Sequence, residues 1–343
     1  AAEWGVDRAA LGIILSMELI GMAVGSILLG TIADKVGRRP MILFCLVVMA
    51  SGMALASRSG TIEELSAYRF YTGLGIGGML AATNAMVAEF ANRKRKALAV
   101  ILMATGYPLG AIFGGMIASE LLASMDWRAV FLFGAIATVI FLPLVWVSMP
   151  ESVEYLATRQ PKGALAKINR TLGRMGKETV DALPATPGKD TAGQHQGTSL
   201  FSKTMWRITA LLTVAYFTHI MTFYFILKWI PKIVVDMGYA ASTAGSVLVW
   251  ANVGGASGAL LLGLLSQKIG VRWLTMVVML LAAGMVVYFG QGQADLTKLA
   301  MVAAGAGFFT NAAVVGLYAI FADAFPTSLR ASGTGFAIGV GRG

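Results

Sequence analysis

The sequence predicts an all-α membrane protein built from two copies of one helical bundle. Three observations carry that prediction. Apolar residues make up 57% of the 343-residue chain and charged ones 13%, against roughly 25% charged in soluble domains. The apolar residues gather in runs of about 20, the length that crosses a bilayer as a helix, and mean hydropathy is +0.73. The chain also repeats itself. Gly21, Gly25, Gly30, Gly37 and Arg39 recur 233 residues on as Gly254, Gly258, Gly263, Gly270 and Arg272. Ala88-Glu89 with Lys96-Ala97 is answered by Ala322-Asp323 with Arg330-Ala331 at an offset of 234. Internal duplication is the sequence trace of many membrane-transport folds.

In chain order, nine full spans are predicted at 9–33, 40–57, 63–89, 97–122, 128–149, 205–230, 240–265, 272–290 and 297–322, and a tenth begins near 331. The division is an N-terminal bundle over 1–150, a linker over 151–203 and a C-terminal bundle over 204–343. Lys35, Arg38 and Arg39, then Arg93 to Lys96, then Lys268 and Arg272, then Arg330 fall in loops on one side, and the linker joins them. From 159 to 207 it carries nine cations against Glu178, Asp181 and Asp190. The opposite loops carry Arg58, Glu63, Glu64, Glu120, Asp126 and Arg128, with no cationic excess. The basic side is therefore expected to be cytoplasmic. Ala1 then starts outside and is not an initiator, and Gly343 falls within an apolar run, so the chain is expected to be a fragment lacking a first helix.

The linker divides in character. Leu156, Leu165, Ile168 and Leu172 recur at helical spacing and predict short surface helices. Residues 182–199 are rich in Pro, Gly, Ser and Thr, a mobile composition with His195 in solvent. Lys228-Trp229-Ile-Pro231-Lys232 has the form of an outer span end, with Trp anchoring and Pro ending the helix. Cys45, the one cysteine, excludes a disulfide framework and is expected to be a small core residue. The net charge of +10 is laid out in alternate loops, which argues against nucleic acid as a partner and for the lipid bilayer. No metal-ligand cluster, nucleophile triad or phosphate loop is present, so neither an enzyme nor a cofactor or metal is expected.

The stretch from Gly30 through Asp34, Gly37, Arg38 and Arg39 to Pro40 closes one span and opens the next. Asp34 lies at the C-terminal end of its helix, where the macrodipole disfavours an anion by ~0.3–1 kcal/mol. An i,i+4 pair with Arg38 offsets a few tenths of a kcal/mol of that. The free N–H groups at the start of another helix, such as the one beginning at Ala331, would offset more. Asp34 is accordingly read as a latch. Glu89, just ahead of the Arg93–Lys96 cluster, and its echo Asp323, seven residues before Arg330, predict a second charged latch.

Arg69 is expensive in hydrocarbon and should face a carboxylate or a polar interior. The glycines after it, Gly73, Gly75, Gly77 and Gly78, let backbones approach closely. Gly106-Tyr107-Pro108-Leu109-Gly110 and Gly114-Gly115 are read as another close-packing and bending stretch. Glu18, near mid-span, and His219 are the candidates for proton coupling. Asn84, Tyr107, Tyr216, Tyr224, Asn252, Asn311 and Tyr318 are candidates to line a substrate path, although each alone is more often a satisfied interhelical hydrogen bond. Arg342, about twelve residues into the last helix, is the candidate anion site, since a guanidinium matches a carboxylate in bidentate geometry.

Gly30 to Arg39 resembles the loop signature between helices 2 and 3 of the major facilitator superfamily. Arg69 to Gly77 resembles its helix 4 signature. Pro150-Glu151-Ser152 is similar to the motif after helix 6 shared by sugar porters and the organic-ion branch. The run from Phe325-Pro326-Thr327 through Arg330, Gly333 and Gly335 to Gly339, Gly341 and Arg342 resembles bacterial aromatic acid:proton symporters and organic anion carriers. In those carriers an arginine at the place of Arg342 is implicated in substrate binding.

The resemblance implies a major facilitator fold of two six-helix bundles around a central cavity, with about ten of twelve helices represented. It implies proton-coupled alternating access for a small aromatic carboxylate at a bacterial inner membrane, with no oligomer required. The symporters' paired aspartates would lie in the absent first helix. Gln267 stands where the second copy would place its Asp34. Tyr107 separates Gly106 from Pro108, a departure from the antiporter signature that leans towards symport. The rivals are a sugar or neutral-metabolite porter, a drug-efflux antiporter and a non-transporting nutrient sensor.

Overall fold

The computed structural model describes residues 8–92, 94–184, 199–203, 205–239, 241–291 and 295–342. Arg93, His195 and most of the stretch read as mobile, 182–199, lie outside them. The described residues are helical, with no strand among them. The elements are α1 (Arg8–Val36), α2 (Arg38–Ala56), α3 (Ile62–Phe90), α4 (Lys96–Ser124), α5 (Trp127–Ser148), the short α6 (Val153–Arg159) and α7 (Ala164–Arg174), α8 (Trp206–Asp236), α9 (Ala241–Leu265), α10 (Val271–Gly290) and α11 (Leu296–Ala324). A 3-10 turn over Thr327–Leu329 then leads into α12 (Arg330–Arg342).

Among the described residues, 8 helices are long and apolar enough to cross a membrane. The remaining long one, α3, has 29 residues and carries Glu63, Glu64, Arg69 and Glu89, which lower its hydropathy without breaking the helix. All nine predicted spans are therefore helices. The linker helices are α6 and α7, whose Tyr155, Leu156, Ala164 and Ile168 form a small core. Cys45 is free and fully buried among Ala33, Met41, Ile42, Ala82 and Ala85.

Helix ends are set locally. Gly37 separates α1 from α2 at φ +116°, a conformation that strains any residue with a Cβ. Pro40 falls in the first turn of α2, where its missing N–H costs nothing. The Ser152 side chain caps α6 by accepting from Tyr155 N at 3.1 Å. Asp126 accepts from Trp127 N at 2.7 Å at the start of α5.

By contacts the chain forms two compact units. One comprises 1–90, 125–213 and 324–343, the other 91–124 and 214–323. α12 thus clusters with α1 and α3, and α4 with α9. Each unit is organised by one close helix crossing, and the two crossings are copies of each other. In α1·α3, a Cβ added at Gly73 would collide with the Glu18 carbonyl, and one at Gly21 with that of Phe70. In α9·α11, a Cβ at Gly307 would collide with the Ala251 carbonyl, and one at Gly254 with that of Ala304. These are the same four positions carried forward by the repeat. The absence of side chains lets the backbones meet.

Two expectations are corrected. α8 continues through Pro231 to Asp236, so this proline does not end its helix. Its ring removes one backbone hydrogen bond, and the turns on either side hold. A Cβ at Gly106, Gly110, Gly114 or Gly115 would meet nothing within 4 Å among the described residues of its own unit. These α4 glycines are therefore not close-packing positions.

Gly73→Val is expected to destabilise the detergent-purified protein by about 1–3 kcal/mol through overpacking. Gly110→Ala is expected to be neutral or stabilising by up to about 1 kcal/mol. Thermal unfolding of both variants checks this, and equal effects would contradict the crossing.

Candidate functional site

A buried charged cluster joins the ends of α1, α2, α3, α6 and α12. Asp34, 3% exposed, sits in the last turn of α1 and faces the first turn of α12. Its Oδ1 accepts from Ala331 N at 3.3 Å. Its Oδ2 accepts from Ser332 N at 2.7 Å and from Ser332 Oγ at 2.6 Å. The anion that α1's dipole disfavours is thereby placed where α12's dipole favours it. This is the contact expected from the sequence, with the Ser332 hydroxyl as a donor that spacing did not reveal. Gly30 makes room for it, because a Cβ there would stand 2.7 Å from the Ala331 carbonyl.

Arg38 is the hub. Its Nη2 lies 3.0 Å from Asp34 Oδ1 and 2.9 Å from Glu89 Oε1, and donates to the Thr327 carbonyl at 2.8 Å. Its guanidinium carbon stands 5.1 Å from the centre of the Tyr155 ring. Glu89 also accepts from Arg330 Nη1 at 3.1 Å and, through its other oxygen, from Ser152 Oγ. Arg330 in turn reaches Glu154 at 2.9 Å. Three carboxylates thus share two guanidinium groups, and only Glu154, with its side chain 47% exposed, keeps substantial access to water.

Glu151 supplies what Gly37 lacks. With no side chain at the N-cap of α2, the Glu151 Oε1 accepts from Arg38 N at 3.0 Å and Arg39 N at 3.3 Å, and from Ser152 N at 2.9 Å. A Cβ at Gly37 would run into that carboxylate. Tyr155 donates its hydroxyl to the Lys35 carbonyl at 2.9 Å. Burial, reinforced by the Glu151 charge and offset in part by Arg38 and Arg159, pushes this phenol above its ordinary value. It therefore remains a donor.

The other predicted residues divide. Arg69 pairs with Glu18 across α1 and α3 and lies 5.7 Å from the Phe131 ring centre. This is the carboxylate Arg69 was expected to need, although the sequence did not link the two. Asp323 forms a pair with Arg272 at 3.4 Å, and both side chains are largely exposed. It stands apart from the buried cluster, which Arg330 joins instead. Tyr107, Asn252 and Asn311 meet at a narrow cleft also lined by Phe223 and Thr310, with room for about one water molecule.

His219 Nε2 lies 2.8 Å from the Thr310 carbonyl. A carbonyl only accepts, so Nε2 carries the proton. Asn311 donates to the Gly255 carbonyl at 2.9 Å, and Asn252 to that of Leu248 at 2.9 Å. Tyr216 and Tyr318 hydroxyls are 3.3 Å apart. Tyr224 packs edge-on against Phe223. Asn84 is buried on α3, and Arg342 is the last residue of α12, partly buried.

Glu154, Ser332 and Tyr155 were not singled out from the sequence, and Glu151 and Ser152 only as part of a motif. The available signal was the cap pattern after α5, since Ser152 precedes an apolar helical run.

Residues 1–342 match the family profile of the Major Facilitator Superfamily. The chain is 29% identical to a gallate transporter of Pseudomonas putida, over 99% of this chain and 76% of that one. It is 30% identical to a benzoate transport protein of Acinetobacter baylyi, over 99% of this chain and 74% of that one. A partially occluded, inward-open structure of the xylose transporter XylE from E. coli superimposes with a TM-score of 0.70 at 17% identity, covering 97% of this chain and 80% of that one.

Arg38→Met is expected to destabilise the protein by about 3–5 kcal/mol, because it strands buried carboxylates. Arg272→Met, in the exposed pair with Asp323 in the second repeat, is expected to cost about 0–1 kcal/mol. Unfolding of the two purified variants checks the contrast.

Proposed function

The chain belongs to the Major Facilitator Superfamily, and from that membership we propose that it carries a small aromatic carboxylate together with protons by alternating access. The observation that carries the mechanism is the seat of Asp34 on the N-terminus of α12. It is a charged contact between the first and second sequence repeats, made of few bonds and placed at the helix ends. Asp34, Arg38, Glu89 and Arg330 form the latch that holds this end closed, and reorientation requires it to break. Glu151 and Gly37 fix the turn that presents Arg38, and Arg39 extends it. Asp323 with Arg272 is the weaker counterpart. The moving parts are the repeats, 1–150 and 204–343, joined by the linker 151–203.

The substrate class rests on the gallate and benzoate transporters to which the chain is similar. Arg342 is the group that meets the carboxylate, and Asn84, Tyr107, Tyr216, Tyr224, Asn252, Asn311 and Tyr318 supply polar and aromatic contacts. Of the two proton-coupling candidates, Glu18 is the better placed. Neutralising it would leave Arg69 without its counter-charge and change the balance across α1 and α3. His219 already holds the Thr310 carbonyl. The membrane is the bacterial inner membrane, with the linker on the cytoplasmic side.

Reconstituted into liposomes, the protein is expected to accumulate labelled benzoate when the interior is alkaline, with competition by gallate and none by xylose. Asp34→Asn is expected to lower the uptake rate about tenfold or more with membrane insertion intact, and Arg342→Ala to abolish substrate binding. Uptake indifferent to the pH gradient would exclude the coupling. Competition by xylose would move the substrate class to neutral sugars, and unchanged kinetics in Asp34→Asn would remove the latch.

A further inference from the structure

We propose that the contact unit containing α2, α5 and α7 holds a specific site for an anionic glycerophospholipid, with its phosphate against α7 and an acyl chain between α2 and α5. This inference does not depend on the transport reading. A cavity of about 530 Å³ opens at the ends of the α2 and α5 spans and is floored by the surface helix α7. Lys167, Arg170 and Arg174 line it. Their spacing of three and then four residues puts them on one face of α7, beside the buried stripe of Ala164, Ile168 and Thr171. All three are exposed, and none makes an ion pair among the described residues. Arg39 contributes a fourth cation from the first turn of α2. Its Nη2 donates to the Trp146 carbonyl at 2.7 Å, while its buried Nε has no hydrogen-bond partner.

The one carboxylate lining the cavity, Glu151, offsets one of the four positive charges and leaves the lining net cationic, and its Oε1 is turned to the N–H groups that open α2. Four cations facing one engaged carboxylate make an anion site. An oxyanion headgroup is matched by the fork of Arg39 and the α7 row.

The second half of the site identifies the ligand as a lipid. Trp146 also walls a wholly apolar groove of about 350 Å³ lined by Leu43, Phe44, Val47, Leu142 and Pro143. Its α2 residues lie four to eight positions further along the helix than Arg39, or about 6–12 Å deeper at 1.5 Å per residue. The order from outside inward is therefore cationic cavity, interfacial Trp, apolar groove. That is the order of a phospholipid's phosphate, glycerol region and chain. A free phosphate ion would use the cavity and leave the groove empty.

The test is thermal unfolding of the delipidated, detergent-purified chain with added phosphatidylglycerol, phosphatidylcholine of the same acyl chains, or inorganic phosphate. Phosphatidylglycerol is expected to raise the midpoint by several degrees more than phosphatidylcholine, with inorganic phosphate inert. The triple variant Lys167→Gln/Arg170→Gln/Arg174→Gln, confined to an exposed helix face, is expected to unfold at the wild-type temperature without lipid and to bind phosphatidylglycerol about 100-fold more weakly. An equal loss of charge at Lys94, Arg95 and Lys268 is expected to leave the affinity within about threefold. Equal stabilisation by both lipids, or an equal loss in the control variant, would overturn the site in favour of general surface charge. Stabilisation by inorganic phosphate alone would reduce it to an ion site with no lipid.

Discussion

The structure depends on one carboxylate that its own helix disfavours. Asp34 in the last turn of α1 stands against a dipole penalty of ~0.3–1 kcal/mol. It accepts three hydrogen bonds from Ala331 and Ser332 at the start of α12. Each bond to a charged group is worth about 1.5–3 kcal/mol, so the second helix prevails over the first. The consequence is directional. Arg38 pairs with Asp34 whatever α12 does, but the three bonds to Ala331 and Ser332 exist only while α12 begins beside it, and the position of α12 is thereby written into the end of α1.

The charges around that contact do more for specificity than for stability. Arg38, Glu89 and Arg330 are nearly fully buried, and taking ions out of water costs about as much as their mutual attraction returns. A network of this kind is nearly neutral while intact and costly when one member is removed. That combination suits a contact that opens as a unit. The second repeat shows the difference burial makes. Arg272 and Asp323 are 51 residues apart in sequence, as are Arg38 and Glu89. The repeat places Asp323 at the position of Glu89 but Arg272 at that of Arg39, so the second pair draws its arginine from the neighbouring position. In the second copy Gln267 replaces the carboxylate equivalent to Asp34, the pair lies in water, and it has no helix N-terminus to hold.

Much of this was legible. The helices followed from apolar runs, and the duplicated glycines showed the internal repeat, while the matching crossings they make appear only in the structure, where a backbone carbonyl faces each one. Asp34 could be placed against the α12 N-terminus because a carboxylate at a helix C-terminus calls for compensation. Pairings between side chains on different helices were not legible. Glu18 with Arg69, and Glu89 with Arg330, are separated by 51 and 241 residues, and only the rotation of packed helices brings them together. Glu151 was visible as a motif, but its use as a remote cap for α2 depends on where the α5–α6 connection returns. The α4 glycines misled because composition does not distinguish a packed small residue from one facing open space.

The glycine crossings and the charged cluster are complementary ways of joining helices. Along its length α12 meets α1 through Gly335 and Gly339, where an added Cβ would strike the Ser26 and Ala23 carbonyls. Such a surface offers few side-chain ridges, so sliding or tilting one helix on the other meets little interdigitation. What resists movement is concentrated at the end, in the bonds from Asp34 to α12, from Arg330 to Glu89 and from Arg38 to Thr327. The α12–α1 interface is thus a close glycine contact along its length with its charged bonds at one end. Directional charged bonds sit at the helix ends, and close backbone contact through glycines fills the length between them.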